Sequence, residues 1–314
     1  MSFHFADIAR HAASDGAVSE AEILQLRQSG WADGRMSREE AEAVFAAQQA
    51  LTNPSEAWSD FFIEAIRNFV LMGSEPRNMA SEDEARWLIA QVEADGRVCS
   101  MTELELLVQI IEKAANVPLS LKDFVLSVIE QAVLTGTGPT RCGGELSDTH
   151  VSEAEARIIR RVVFGSAGHR PAGVSLVEAE MLFRVKNATL GAENVPEFKT
   201  LFVQGVGNFL MGYASPNAQL SHERAKELET FVADNKADFG RFMGAMARTT
   251  PNAFGIVFGR KSPLEPTRDE QVAEAAKVTV VEQEWLDAQI AANGEIDSYD
   301  RALLEFLAEE TGEA

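Results

Sequence analysis

Ala32-Asp33-Gly34-Arg35-Met36-Ser37-Arg38-Glu39-Glu40 and Ala94-Asp95-Gly96-Arg97-Val98-Cys99-Ser100-Met101-Thr102-Glu103 set out the plan of this chain. In each, an Asp-Gly pair is followed by a hydrophobic residue, a serine and, three residues after the serine, a glutamate. Glycine adopts the left-handed conformation that ends a helix at no Cβ cost. Serine with glutamate three positions on forms a capping box. The hydroxyl accepts the third helical N–H, and the carboxylate reaches back to the serine's own N–H. The stretch therefore predicts the end of one helix, a tight turn and the start of the next. Weaker copies read Asp15-Gly16-Ala17-Val18-Ser19-x-x-Glu22, Gly173-Val174-Ser175-x-x-Glu178 and Asn293-Gly294-Glu295-Ile296-Asp297.

Working outward, each turn lies between two helices that lead into a third, more apolar one. Ser59–Gly73 aligns with Leu121–Gly136, matching Asp60, Phe61, Ile66, Val70 and Leu71 with Asp123, Phe124, Ile129, Val133 and Leu134, and Leu201–Gly212 is a third copy. These segments are apolar round most of the circumference, as expected of helices buried between others. The closing glycine of each is expected in the left-handed conformation. Val18-Ser-Glu-Ala-Glu22 recurs letter for letter as Val151-Ser-Glu-Ala-Glu155, and Ser37-x-x-Glu-Ala-Glu-x-x-Phe45 recurs as Ser175-x-x-Glu-Ala-Glu-x-x-Phe183.

The repeating unit is a first helix, an Asp-Gly-like turn, a second helix and a buried third helix. First helices begin near Ser19, Ser81, Ser152, Ser221 and Val281, giving about four and a half copies of the unit. In the fourth, Asp234-Asn235 replaces Asp-Gly and Phe254–Gly259 is a stub of the third helix. The fold class is all-α, with no period-2 stretch long enough for a strand. Units one and two resemble units three and four, so the expected organisation is two tandem helical domains, residues 1–147 and 148–314. The Gly-rich segment Thr135–Gly144 reads as a flexible connector between them. An α-solenoid with a concave binding groove stays open beside two closed domains.

Composition narrows the function classes. The chain of 314 residues carries a net charge of -21, which opposes binding to nucleic acid. Cys99 and Cys142 form no zinc pattern and point to a reducing compartment. The N-terminus lacks the basic start and apolar run of a signal peptide, and no stretch is long enough to span a bilayer, so the expected location is cytoplasmic. One region departs from the acidic background: Lys236, Arg241, Arg248, Arg260 and Lys261 are interleaved with Phe239, Phe242, Met243, Met246, Phe254 and Phe258. This segment, 236–261, is the only expected route to a membrane surface, and an acidic partner would fit it equally.

No Walker loop, nucleophile elbow or Cys/His arrangement is present. The Asp-Gly turns are the remaining candidate chemistry. Asp33, Gly34, Met36 and Glu40 fit positions five, six, eight and twelve of an EF-hand loop, as do Asp15, Gly16, Val18 and Glu22. Positions one and three fall on Ser29 and Trp31, or on His11 and Ala13. Such a loop offers roughly three or four oxygens where calcium takes six to eight, so any binding is weak. Helix capping accounts for the same serines and glutamates, and both readings stand at this point.

With Ala32–Glu40 and Ala94–Val98 as the matching segments, the chain resembles the tellurite-resistance TerB-like all-α family, whose helices are punctuated by Ala-Asp-Gly-x-hydrophobic-Ser-x-x-Glu. The resemblance covers the helix–turn–helix part of each unit and is poor over 236–280. It implies a metal-linked stress-response or scaffold module, with Asp33, Glu40, Asp95 and Glu103 as the acidic-site residues and Ca or Mg as weakly bound ions. Cys99 puts Glu103 one position later than Glu40 relative to the turn. The leading expectation is a non-enzymatic cytosolic scaffold that binds a protein partner and is tuned by divalent cations. The competing expectation is an enzyme whose site is assembled in the cleft between the two halves.

Overall fold

The computed structural model describes residues 16–30, 35–94, 96–98, 100–141, 149–165, 173–211 and 280–311. Asp33, Asp95, Cys99, the fourth unit and the basic segment 236–261 lie outside the described residues. Among those described there are eleven α-helices and no strand. In chain order they are α1 (Glu20–Gly30), α2 (Arg38–Ala50), α3 (Glu56–Met72), α4 (Glu82–Val92), α5 (Met101–Lys113), α6 (Leu119–Thr135), α7 (Glu153–Gly165), α8 (Leu176–Ala188), α9 (Pro196–Leu210), α10 (Val280–Ala291) and α11 (Ser298–Thr311). None of these is long and apolar enough to cross a membrane.

The starts of these helices follow from their sequence. Ser37, Ser81, Ser100 and Ser175 each cap a helix with the glutamate three residues on closing the box. Ser19 with Glu22 and Ser152 with Glu155 make the same reciprocal bonds. At α11 two aspartates replace Ser and Glu: the Asp300 N–H donates to Asp297 Oδ1 at 3.0 Å, and the Asp297 N–H donates to Asp300 Oδ2 at 3.1 Å. Each such cap stabilises its helix by about 1 kcal/mol. Gly16, Gly96 and Gly294 take positive φ in their turns, as the Asp-Gly motif requires.

The closing glycines of the buried helices do not all behave as the alignment predicts. Gly136 is left-handed at φ 68°, but Gly73 is right-handed at φ -75°. A Cβ at Gly73 would lie 2.3 Å from the Phe69 carbonyl oxygen, so close approach, not handedness, calls for glycine there. The expected flexible connector is also corrected as far as it is described. Pro139–Arg141 is a packed 3-10 turn, and Arg141 is 3% exposed. Its guanidinium donates to Glu155 Oε2 at 2.8 Å and to the His150 carbonyl at 2.5 Å, which holds the chain against the start of α7.

The helices pack in two rows. Each odd-numbered helix lies on the next odd one, α1 on α3, α3 on α5, α5 on α7, α7 on α9 and α9 on α11. The even helices do likewise, α2 on α4, α4 on α6 and α6 on α8, with Trp285 of α10 against Phe183 of α8. Pairs α2/α3, α5/α6, α6/α7 and α8/α9 join the rows. Neighbours within a row run parallel. Ser59 meets Thr102 and Arg67 meets Gln109 between α3 and α5, while Lys122 meets Glu178 and Glu130 meets Arg184 between α6 and α8.

A single hydrophobic cluster runs through both rows from Val18 to Leu307. Its largest members, Trp58, Phe45, Phe61, Phe62, Phe183, Phe198 and Phe202, are fully buried, each contributing roughly 1.5–3 kcal/mol. The cluster and several ion pairs pass across residues 147 and 148. Arg161 of α7 contacts Glu105 and Glu112 of α5 at 2.6 Å each, and Arg184 of α8 contacts Glu130 of α6 at 2.7 Å.

Candidate functional site

The glutamates three residues after the capping serines, Glu40, Glu103 and Glu178, are the feature the sequence singled out. The structure places these acids in increasingly enclosed settings along the chain. Glu40 at the start of α2 accepts the Ser37 N–H at 2.8 Å, and its box lies at the surface. Glu103 at the start of α5 is 5% exposed and accepts the Ser100 N–H at 3.2 Å. Both predicted site glutamates are thus helix caps. Among the described residues no group of three or more His, Cys, Asp or Glu is arranged to hold a metal ion.

Further along, a lysine joins the capping acid. Glu178 at the start of α8 is 2% exposed and accepts from Lys122 Nζ of α6 at 3.1 Å. At α11 the arrangement is denser. Lys186 of α8 is wholly buried and donates to Asp297 Oδ2 at 2.6 Å and to Asp300 Oδ1 at 2.7 Å. Its ammonium also lies 5.3 Å from the Phe183 ring centroid and 5.7 Å from that of Phe202, within cation–π range. Asn293 Nδ2 donates to Asp297 Oδ2 at 2.9 Å, and Asn194 Nδ2 donates to the Tyr299 hydroxyl at 3.2 Å. The lysine ammonium fills the position between the two carboxylates that a bound cation would take.

The two aspartates differ in proton affinity. Burial pushes Asp297 up, but Lys186 and the backbone N–H groups of Asp300 and Tyr299 outweigh it, and the carboxyl ends below its ordinary value. For Asp300, burial together with the charge of Asp297 prevails, and its carboxyl is raised. Like charges sharing one site divide in this way. Tyr299 is raised by burial and by Asp297.

The sequence reading missed this cluster. It noted Asn293–Asp297 as a weak turn and did not recognise Asp297-x-x-Asp300 as a capping pair. A signal was present: Lys186 continues the apolar stripe Met181-Leu182-Phe183-x-Val185, and a lysine on a buried face needs a counter-charge.

A second feature is a groove of about 420 Å³ between α7 and α9, lined by Glu153, Arg157, Arg160, Glu197 and Gln204 among others. Its cations are bonded within it, Arg157 to the Glu153 carboxylate at 2.5 Å and Arg160 to the neutral Gln204 amide oxygen at 2.8 Å. All nine buried polar or charged side chains among the described residues have a bond inside the fold, including Gln48 to the Trp58 indole and Thr189 to Asn194. Buried polarity here stitches helices together. No protein-family model, curated protein or solved structure matches this chain.

Proposed function

We propose that the chain is a non-enzymatic helical scaffold, built of stacked three-helix units of TerB-like character, whose surface binds a protein partner. The packing of the described helices in two rows carries this reading. Such an array grows by adding elements to its end and offers an extended surface rather than one enclosed pocket. A three-helix unit in a two-row array also moves to the opposite row at each step. Units one and three then share a row assignment, as their shared sequences suggest. The spending of buried polar groups on caps and interhelical bonds fits a structural role for the interior.

Weak modulation by Ca or Mg, and a link to stress responses, belong to the same proposal through the TerB resemblance at Asp33 and Asp95. A calorimetric titration with calcium and magnesium, repeated on Asp33→Asn/Asp95→Asn, tests the cation part. Binding that the double variant abolishes supports it, and absence of heat at millimolar metal removes it. Quantitative crosslinking in cells tests the scaffold part: one partner should be recovered in fixed proportion. Turnover of a small-molecule substrate by the purified chain would overturn it in favour of an enzyme.

A further inference from the structure

The joints of the odd row from α1 to α9 each carry an arginine, and the arginines differ in what answers them. Arg27 of α1 meets the Glu64 carboxylate of α3 at 2.5 Å. Arg161 of α7 grips two carboxylates of α5, Glu105 and Glu112. Between α3 and α5, Arg67 donates to the Gln109 amide oxygen at 2.6 Å, and Gln109 Nε2 donates in turn to Glu105 Oε1 at 2.9 Å. The guanidinium there reaches a carboxylate through the amide.

The joint between α7 and α9 starts the same way and stops short. Arg160 donates to Gln204 Oε1 at 2.8 Å and lies 5.5 Å from the Phe164 ring centroid, but no carboxylate bonds to it among the described residues. A guanidinium only donates, so it takes the oxygen of the amide and leaves Gln204 Nε2 as a further donor. Counted from the helix starts, Gln204 of α9 stands where Gln109 stands in α5, each the ninth residue. Thr200 stands where Glu105 does, each the fifth. A short neutral side chain thus replaces the acid that completes the earlier relay. The groove of about 420 Å³ opens at this place, lined by Thr200, Gln204 and Arg160 together with Ala156 and Leu201.

The opposite end of the groove has the other sign. Glu197 of α9 also lines it and lies seven residues before Gln204, about 10 Å at 1.5 Å per residue. It is exposed, and no cation pairs with it among the described residues. Glu153 on the facing helix is already bonded to Arg157. One end therefore holds donors and an unanswered positive charge, and the other an unanswered negative charge. In a chain of net charge -21 a simple anion is repelled at long range, whereas a ligand carrying both signs is not.

We propose that this groove binds a short peptide with free ends, its carboxylate held by Arg160, Gln204 Nε2 and the Thr200 hydroxyl, and its ammonium beside Glu197. Three extended residues span about 10 Å, which matches the separation of the two ends. Ala156 and Leu201 line the stretch between them and suit small apolar side chains. The ligand carboxylate supplies to Gln204 what Glu105 supplies to Gln109. Such a site is compatible with a scaffold and does not require one.

Trialanine, titrated into the full-length chain and followed by NMR, tests it. Shifts should appear in the Ala156 and Leu201 methyl groups and saturate at millimolar peptide. Amidating the C-terminus removes the charge that answers Arg160 and should weaken binding by about tenfold or more, and acetylating the N-terminus by about threefold or more. Arg160→Gln should match the loss on amidation. Thr200→Glu places the missing carboxylate on the chain itself, so it should abolish the titration and raise the Tm by about 1–3 °C. Arg160 and Thr200 are exposed, so neither substitution disturbs the core. Absence of shifts at tens of millimolar trialanine would overturn the proposal, as would undiminished binding in Arg160→Gln or Thr200→Glu. Acetate producing the same shifts at the same concentration would show a bare carboxylate site and overturn the peptide ligand. Equal affinity for the acetylated peptide would overturn the part given to Glu197.

Discussion

Trp285 meets Phe183 edge-on, with centroids 5.5 Å apart and planes at 85°, reproducing the contact of Trp87 with Phe45 at 5.7 Å and 85°. A second ring completes each box at 5.0 Å, Phe69 beside Trp87 and Phe209 beside Trp285. Three helices thus meet the same way at α2/α3/α4 and at α8/α9/α10. The indole N–H groups differ: Trp87 donates to Glu42 at 3.2 Å, while that of Trp285 is buried with no partner among the described residues.

That difference sets the first prediction. Trp87→Phe removes ring volume and also a hydrogen bond worth about 0.5–1.5 kcal/mol. Trp285→Phe removes similar volume but eliminates an unsatisfied donor. Urea denaturation should find Trp87→Phe more destabilising by about 1 kcal/mol. Equal losses would mean that the two boxes are energetically alike despite the missing bond.

The two aspartates on Lys186 give a prediction with opposite signs. Asp297 is held below its ordinary value of 3.8, so it stabilises the fold above that pH, and the contribution fades as pH falls through the depressed pKa. Asp300 is raised, so its ionisation opposes folding at neutral pH, and protonation on acidification relieves that cost. At pH 7, Asp297→Asn should therefore lower the Tm clearly more than Asp300→Asn, and the gap should close in strong acid. A larger loss for Asp300→Asn at pH 7 would show that its bond to Lys186 outweighs its burial.

How legible all this was depends on how local the cause is. Helix starts were readable because a capping box lies within four residues, and the expected boxes at Ser37, Ser81, Ser100, Ser152 and Ser175 are formed. The left-handed turns at Gly96 and Gly294 are local as well. Gly73 was misread because its constraint is a contact with the Phe69 carbonyl, which shares a sequence signature with a left-handed cap. Lys186 was overlooked because its partners lie more than a hundred positions away, and no spacing rule connects them. Of the predicted acids, Glu40 and Glu103 could be named from sequence, but their role as caps needed the geometry.

Enclosure should separate the capping acids by energy. Glu40→Gln keeps an acceptor for the Ser37 N–H at a surface position and should cost about 1 kcal/mol or less. Glu178→Gln leaves Lys122, only 7% exposed, without its counter-charge, and should cost about 3 kcal/mol or more. Thermal denaturation of the two variants checks the order. If Glu40→Gln proves the costlier, Glu40 does more than cap.

Arg161 joins the two halves of the chain, gripping Glu105 and Glu112 of α5 from α7 with both ends of its guanidinium. Burial pushes Glu105 up, but the Arg161 bonds prevail and hold its carboxyl below the ordinary 4.5. The stabilisation is therefore present above that pH and is lost as pH falls through the depressed value. Arg161→Met should cost about 1–3 kcal/mol at pH 7 and markedly less near pH 3. The shared core across residues 147 and 148 adds a second expectation, that wild type and variant each melt in one transition over the described helices. Calorimetry reads both at once. A variant whose trace splits in two would show that residues 1–147 and 148–314 are separate domains held together mainly by this arginine, and a single shifted peak would show one cooperative array.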